Sequence, residues 1–130
     1  MKKIIIFGAT GNVGSYVHKY ACEYFKGKYE VIASGHRQTD FFEKQGQKYV
    51  SVDISNPEEF DKLPQDDVYA VIDLAAQIPS YMKGYQPEKY VKSNIMGAYN
   101  VLEYCRKVHA DRILFSTTVF DISLSATNGA

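Results

Sequence analysis

The sequence predicts an α/β fold, a doubly wound parallel sheet of five strands in the order 3-2-1-4-5. Three observations predict it. Short β-branched apolar runs alternate with segments of helical periodicity along the 130 residues, and strands spaced this way join through right-handed crossovers that make neighbours parallel. The first strand runs directly into a glycine-rich turn and then a helix, which is how such sheets begin. With 45% hydrophobic residues, the chain has material for one core and not comfortably for two, so residues 1–130 read as one domain.

Lys3 to Phe7 is a β-branched run ended by glycine, as in a strand buried on both faces. From Asn12 to Phe25, residues Val13, Tyr16, Val17, Tyr20, Ala21, Tyr24 and Phe25 recur at three- and four-residue spacing and predict an inward helical stripe, with Gly27 as its stop. Tyr29 to Ser34 and Lys48 to Val52 are the second and third strands, with a short polar helix expected between them around Thr39 to Gln45. Asn56-Pro57-Glu58-Glu59 reads as a helix start: an Asn cap, proline at the first helical position, and carboxylates against the positive end. Val68 to Leu74 is the fourth strand. Pro87 to His109 predicts a long helix with Val91, Ile95, Ala98, Leu102, Cys105 and His109 on one stripe, and Arg112 to Phe115 a fifth strand.

The composition excludes several functions. Fifteen basic residues balance fifteen acidic ones, so no long-range positive field gathers nucleic acid or anionic lipid, and an anionic ligand must be caught locally. No apolar run approaches the roughly 20 residues of a membrane helix, and the run after Lys2-Lys3 is too short for a signal peptide. Cys22 and Cys105 are isolated thiols without metal-ligand spacing, which predicts a cytoplasmic protein without a metal site.

Between the first strand and the first helix stands Gly8-Ala9-Thr10-Gly11-Asn12-Val13-Gly14. A pyrophosphate needs glycines in such a loop because a β-carbon blocks both the turn and the close approach of the anion to the main chain. The free amides at the helix start then bind the anion, while the third glycine lets the helix pack against the sheet. The alternative is a tight turn of purely structural use.

With its G-x-x-G-x-x-G spacing, the loop resembles that of the short-chain dehydrogenase/reductase superfamily. Three further segments narrow the resemblance to its extended branch, the NAD-dependent epimerase/dehydratase family. VSVDIS (50–55) resembles the third-strand end that meets adenine, a role the resemblance passes to Asp53 with Ile54 beside it; Asp53 as a simple turn cap is the alternative. VIDLAAQ (71–77) resembles VIHLAA, whose main chain lines the cofactor groove, implying Leu74, Ala75 and Ala76. Asp73 stands where the family commonly has histidine and reads as an end-of-strand polar group. NIMGAYNVLEYCRK (94–107) resembles N-x-x-G-T-x-N-L-L-E, whose leading asparagine lies near the cofactor, implying Asn94; a surface asparagine is the alternative. The implied fold is Rossmann-like, and the implied activity is that of a sugar-nucleotide epimerase, dehydratase or reductase, often a homodimer through the long helix.

An acidic residue at the end of the second strand would accept both ribose hydroxyls and repel a 2′-phosphate. That position is Gly35, and His36 and Arg37 follow it. Arg37 can grip a phosphate through a planar two-pronged hydrogen bond, with Ser34 and His36 as helpers, which favours NADP over NAD. Asp40 folding back to the ribose is the alternative.

The implied reaction needs a Ser/Thr after the fifth strand, and a tyrosine whose pKa is lowered by a lysine four residues on. Ser116 and Thr117 are both candidates for the hydroxyl: counting from the strand end favours Thr117, and matching Val119-Phe120 to the family's V-Y pair favours Ser116. The Y-x-x-x-K pairs present, Tyr24/Lys28 and Tyr85/Lys89, do not stand where the family has its pair. By this resemblance the chain reads as the cofactor-holding half of an enzyme, the alternative being a non-catalytic dinucleotide-binding or sensor module.

Overall fold

The computed structural model describes residues 1–76 and 84–116. Strands β1 (Lys3–Phe7), β2 (Glu30–Gly35), β3 (Lys48–Ser51), β4 (Val68–Asp73) and β5 (Arg112–Phe115) form one parallel sheet in the expected order, β3-β2-β1-β4-β5. β1 lies at the centre, with Ile5 registered against Ile32 on one side and Val71 on the other. Ile5 and Phe7 pack on one face with Val71, Val101, Phe60 and Tyr104, whereas Ile4 and Ile6 pack on the other with Ala21, Ala33 and Phe42. Burial on both faces explains why β1 is continuously apolar and not alternating.

Helix α1 (Asn12–Tyr24) covers the Ile4–Ile6 face, but rotated from the expected stripe. Gly14, His18 and Ala21 are buried, while Val13, Tyr16, Tyr20 and Tyr24 are exposed; of the expected stripe, Val17, Ala21 and Phe25 do pack inward. Gly14 sets the rotation, because it alone fits against the loop: a Cβ there would stand 1.9 Å from the Gly8 carbonyl oxygen. Residues 18, 21 and 25 follow it inward at helical spacing.

The long helical segment is also turned from its expected face. It comprises α2 (Pro87–Tyr90), a π-helical stretch (Val91–Met96) and α3 (Gly97–Lys107). Gly97, Asn100, Val101, Tyr104, Cys105 and Val108 face the sheet, whereas Val91, Ile95, Leu102 and His109 are exposed. Gly97 fixes this, since a Cβ on it would meet the Ile54 Cδ1 at 2.6 Å. The π-helical stretch, with its wider turn, breaks the uniform periodicity from which the stripe was extrapolated. The expected short helices are 3₁₀ turns, Glu43–Gln45 and Pro57–Lys62, and in the second the Asn56 side chain caps as expected by accepting from the Glu58 amide at 3.2 Å.

Candidate functional site

From β1 the chain proceeds through β2 and β3 to one side, then crosses to β4 and β5 on the other, so the C-terminal edge of β1 is the sheet's switch point. The glycine loop stands there. Gly8 has φ +80°, and a Cβ on it would lie 2.7 Å from the Leu74 carbonyl carbon, so the loop is pressed against the end of β4. The Ala9 amide donates to the Ser34 carbonyl and the Gly11 amide to the Gly8 carbonyl, both at 3.0 Å. Gly11 is the N-cap of α1 and has no side chain to satisfy the first-turn amides. Those amides, of Asn12, Val13 and Gly14, have no acceptor within the helix. Asn12 and Val13 are exposed. Gly11 itself is less tightly packed, since a Cβ there would have one close contact, the Gly8 oxygen at 3.3 Å. Thus Gly8 and Gly14 are required by packing, and Gly11 keeps the helix start open.

On the β2–β3 side, Gly35 is buried, and a Cβ there would come within 3.0 Å of the Thr10 Oγ1 and 3.1 Å of the Tyr49 hydroxyl. A side chain at the position that would carry an acidic residue would therefore have to displace Thr10 or Tyr49 slightly. Tyr49 donates to the Arg37 carbonyl at 2.6 Å, tying the loop after β2 to β3. The Arg37 guanidinium is exposed and makes no ion pair among the described residues. Ser34 does not assist it: its buried hydroxyl donates to the Val50 carbonyl at 2.9 Å. His36 is exposed, and Asp40 pairs with Lys44. Asp53 Oδ1 accepts from the Ser55 amide and hydroxyl, so it caps its turn while remaining exposed. Ile54 is buried in the core against Gly97, its carbonyl accepting from Asn100 Nδ2 at 2.8 Å.

On the β4–β5 side, Asp73, Ala75, Ala76, Ser93, Asn94, Ala98, Phe115 and Ser116 line a cavity of about 160 Å³. It unites three expected segments: the end of β4, the helix carrying Asn94, and the hydroxyl after β5. Leu74 continues the β4 ladder, its amide donating to the Phe7 carbonyl. Asp73 is 5% exposed, with Oδ1 accepting from the Ala75 amide at 3.0 Å. Burial raises its carboxyl to about 6, against the opposing pull of that amide. Thr117 lies outside the described residues, as do Gln77, Val119 and Phe120. Tyr24 stacks on Tyr20 far from this cavity, and Tyr85 is 91% exposed.

Sequence reasoning undervalued two residues. Asn100, the second asparagine of the N-x-x-G-x-x-N segment, is the buried one that fastens α3 to the turn after β3. Its signal was a polar residue three positions after the glycine that faces inward. Asp73 was readable as a carboxylate at the end of an otherwise apolar strand.

A doubly wound sheet with an uncapped, glycine-lined helix start at its switch point defines a dinucleotide-binding domain of the Rossmann type. The profile of the NAD dependent epimerase/dehydratase family matches residues 4–121, and the chain belongs to that family, as its sequence motifs implied. A provisional UDP-glucose 4-epimerase of Methanocaldococcus jannaschii is 29% identical over 117 residues, covering 88% of this chain and 37% of that protein. An uncharacterized protein of the same organism is 19% identical over 129 residues, covering 90% of this chain and 40% of that one. Among solved structures, the UDP-glucose 4-epimerase of Thermus thermophilus in complex with NAD superimposes with a TM-score of 0.71 at 23% identity, over 89% of this chain and 37% of that one. The L-threonine dehydrogenase of Clostridium difficile gives a TM-score of 0.74, also at 23% identity, over 92% of this chain and 37% of that one. These likenesses establish the fold, and the chain spans about two fifths of each relative's length. Among the described residues no helix is long and apolar enough to cross a membrane.

Proposed function

We propose that residues 1–130 are one cytoplasmic domain holding the cofactor of a sugar-nucleotide epimerase, dehydratase or reductase. The observation that carries this reading is the cradle at Gly8, Gly11 and Gly14, whose uncapped amides suit a pyrophosphate. Thr10, Asn12 and Val13 complete that loop. Leu74, Ala75, Ala76 and Asn94 border the nicotinamide half of the groove, and Asp53 and Ile54 the adenine half. When bound there, the cofactor would supply hydride transfer to and from a substrate hydroxyl carbon. Ser116 or Thr117 hydrogen-bonds the reacting oxygen and orients it.

NADP is favoured over NAD. The support is the pairing of Gly35, which brings no carboxylate to the end of β2, with an exposed Arg37 free of ion pairs among the described residues. A guanidinium so placed can take a 2′-phosphate. A non-catalytic dinucleotide-binding or sensor module is the second reading, since the glycine cradle holds a pyrophosphate without needing a catalytic group.

Fluorescence titration with NADPH and NADH tests both points. Gly11→Val is expected to abolish binding of either while leaving the fold intact, because a Cβ at Gly11 would have one close contact, the Gly8 oxygen at 3.3 Å. Unchanged affinity in that variant removes the pyrophosphate role, and tighter binding of NADH than NADPH removes the Arg37 role.

A further inference from the structure

Four polar side chains are buried among the described residues: His18, Ser34, Asp73 and Asn100. Ser34 and Asn100 each donate to a main-chain carbonyl, and His18 lies under α1 against Cys22 and Phe42. Asp73 differs because it sits at the C-terminal end of a strand and borders a cavity. Its neighbours there are apolar or neutral, and no lysine or arginine among the described residues pairs with it. A carboxylate with one amide donor among the described residues, in such surroundings, is poorly compensated. Among the described residues, the lining of the site supplies no positive charge to this carboxylate.

A dinucleotide at the switch point lays one nucleoside on each half of the sheet. With the adenosine on the β2–β3 side, the nicotinamide nucleoside falls on the β4–β5 side, where Asp73 is. The oxidised nicotinamide ring is a cation and the reduced ring is neutral. We propose that the Asp73 carboxylate, at the floor of the β4–β5 cavity, selects the oxidised cofactor over the reduced one by charge. The inference rests on the dinucleotide reading above and adds a residue that discriminates between redox states.

Ring and proton then compete for the same carboxylate. Below about pH 6, where Asp73 takes up its proton, the selectivity fades. Among the described residues, the groups facing Asp73 leave this titration to it. From α3 comes Cys105, whose thiol is raised to about 11 by burial and then by the charge of Asp73, and so stays neutral. Ser93 and Asn94 come from the π-helical stretch, Phe115 and Ser116 from β5 and its end, and Phe7 from β1; none of them titrates.

The test is calorimetric titration of the chain with NAD⁺, NADH and ADP-ribose, and with NADP⁺ and NADPH, from about pH 5 to about pH 7.5. Within each oxidised and reduced pair, the contributions of the adenosine half and the pyrophosphate cancel in the affinity ratio. The preference for the oxidised form is expected to rise at least about fivefold over this range, while ADP-ribose affinity stays level. In Asp73→Asn the ratio is expected to stay flat at its acid value. A flat ratio in the native chain, which needs no variant, or an equal rise in Asp73→Asn, overturns the proposal. If ADP-ribose binds while the ratio is flat, the Asp73 role alone falls; if ADP-ribose also fails to bind, the dinucleotide reading falls with it.

Discussion

A carboxyl group that is 5% exposed and, among the described residues, meets one amide is easier to bury with its proton than without. Asp73 therefore works against the free fold at neutral pH. Its folded-state pKa, about 6, lies above the ordinary 3.8, so between these values the folded chain binds more protons than the unfolded one. Its contribution to stability is thus full below about pH 4, declines as pH rises to about 6, and stays low above. Asp73→Asn keeps an acceptor for the Ala75 amide and removes the charge. It is expected to stabilise the chain by about 2 kcal/mol near pH 7.5 and by nothing near pH 4, measured by urea denaturation. His18 acts in the opposite sense, since burial lowers its pKa and stability falls as it charges in acid; the difference between variant and native chain isolates Asp73. A variant less stable than the native chain at pH 7.5 would show that the carboxylate has a compensating partner. Gly14 makes a second residue-scale case. Gly14→Ala puts a Cβ 1.9 Å from a backbone oxygen that cannot move without opening the loop, and is expected to destabilise the chain by about 3 kcal/mol.

At the scale of elements, the sequence revealed where each helix lies better than which way it faces. On α1 the tyrosines at 16, 20 and 24 share a helical stripe as regular as that of the residues that pack inward, and they are the larger side chains. The expected stripe therefore joined the exposed Val13, Tyr16, Tyr20 and Tyr24 to the inward Val17, Ala21 and Phe25. What decides the rotation is a contact of close approach, Gly14 against Gly8, and a residue without a side chain adds nothing to a hydrophobic pattern. Gly97 against Ile54 does the same for α3. This rotation has a measurable consequence: Tyr16→Lys should change stability by less than about 0.5 kcal/mol, whereas Ala21→Leu should cost about 1–3 kcal/mol by overpacking. Equal effects would put both residues on the same face. For α3 the polar fastening is the sharper probe. Asn100→Ala leaves the buried Ile54 carbonyl without its donor and is expected to cost about 2 kcal/mol.

Across the whole molecule, strand order and the glycine loop were legible because both follow from chain connectivity and backbone sterics, which local sequence carries. The β4–β5 cavity was legible only in pieces. It is assembled from three separate segments, 73–76, 93–98 and 115–116, and the pairing of Asp73 with the helix that bears Asn94 appears only once the sheet is closed. The rotation of the long helix also alters what the molecule presents to its surroundings. Val91, Ile95, Tyr99 and Leu102, at helical spacing, form an exposed line 47–62% accessible on the side away from the sheet. Side chains of this size aligned on one face favour association with a similar face. If a second copy of the chain covers this line, Ile95→Glu, which buries a charge in the contact, should shift a concentration-dependent dimer towards monomer in sedimentation velocity. Because Ile95 touches solvent and not the core, the variant should keep the native denaturation midpoint, which separates lost association from lost folding. A native chain that sediments as a monomer at every concentration would show that this face is not a self-association surface.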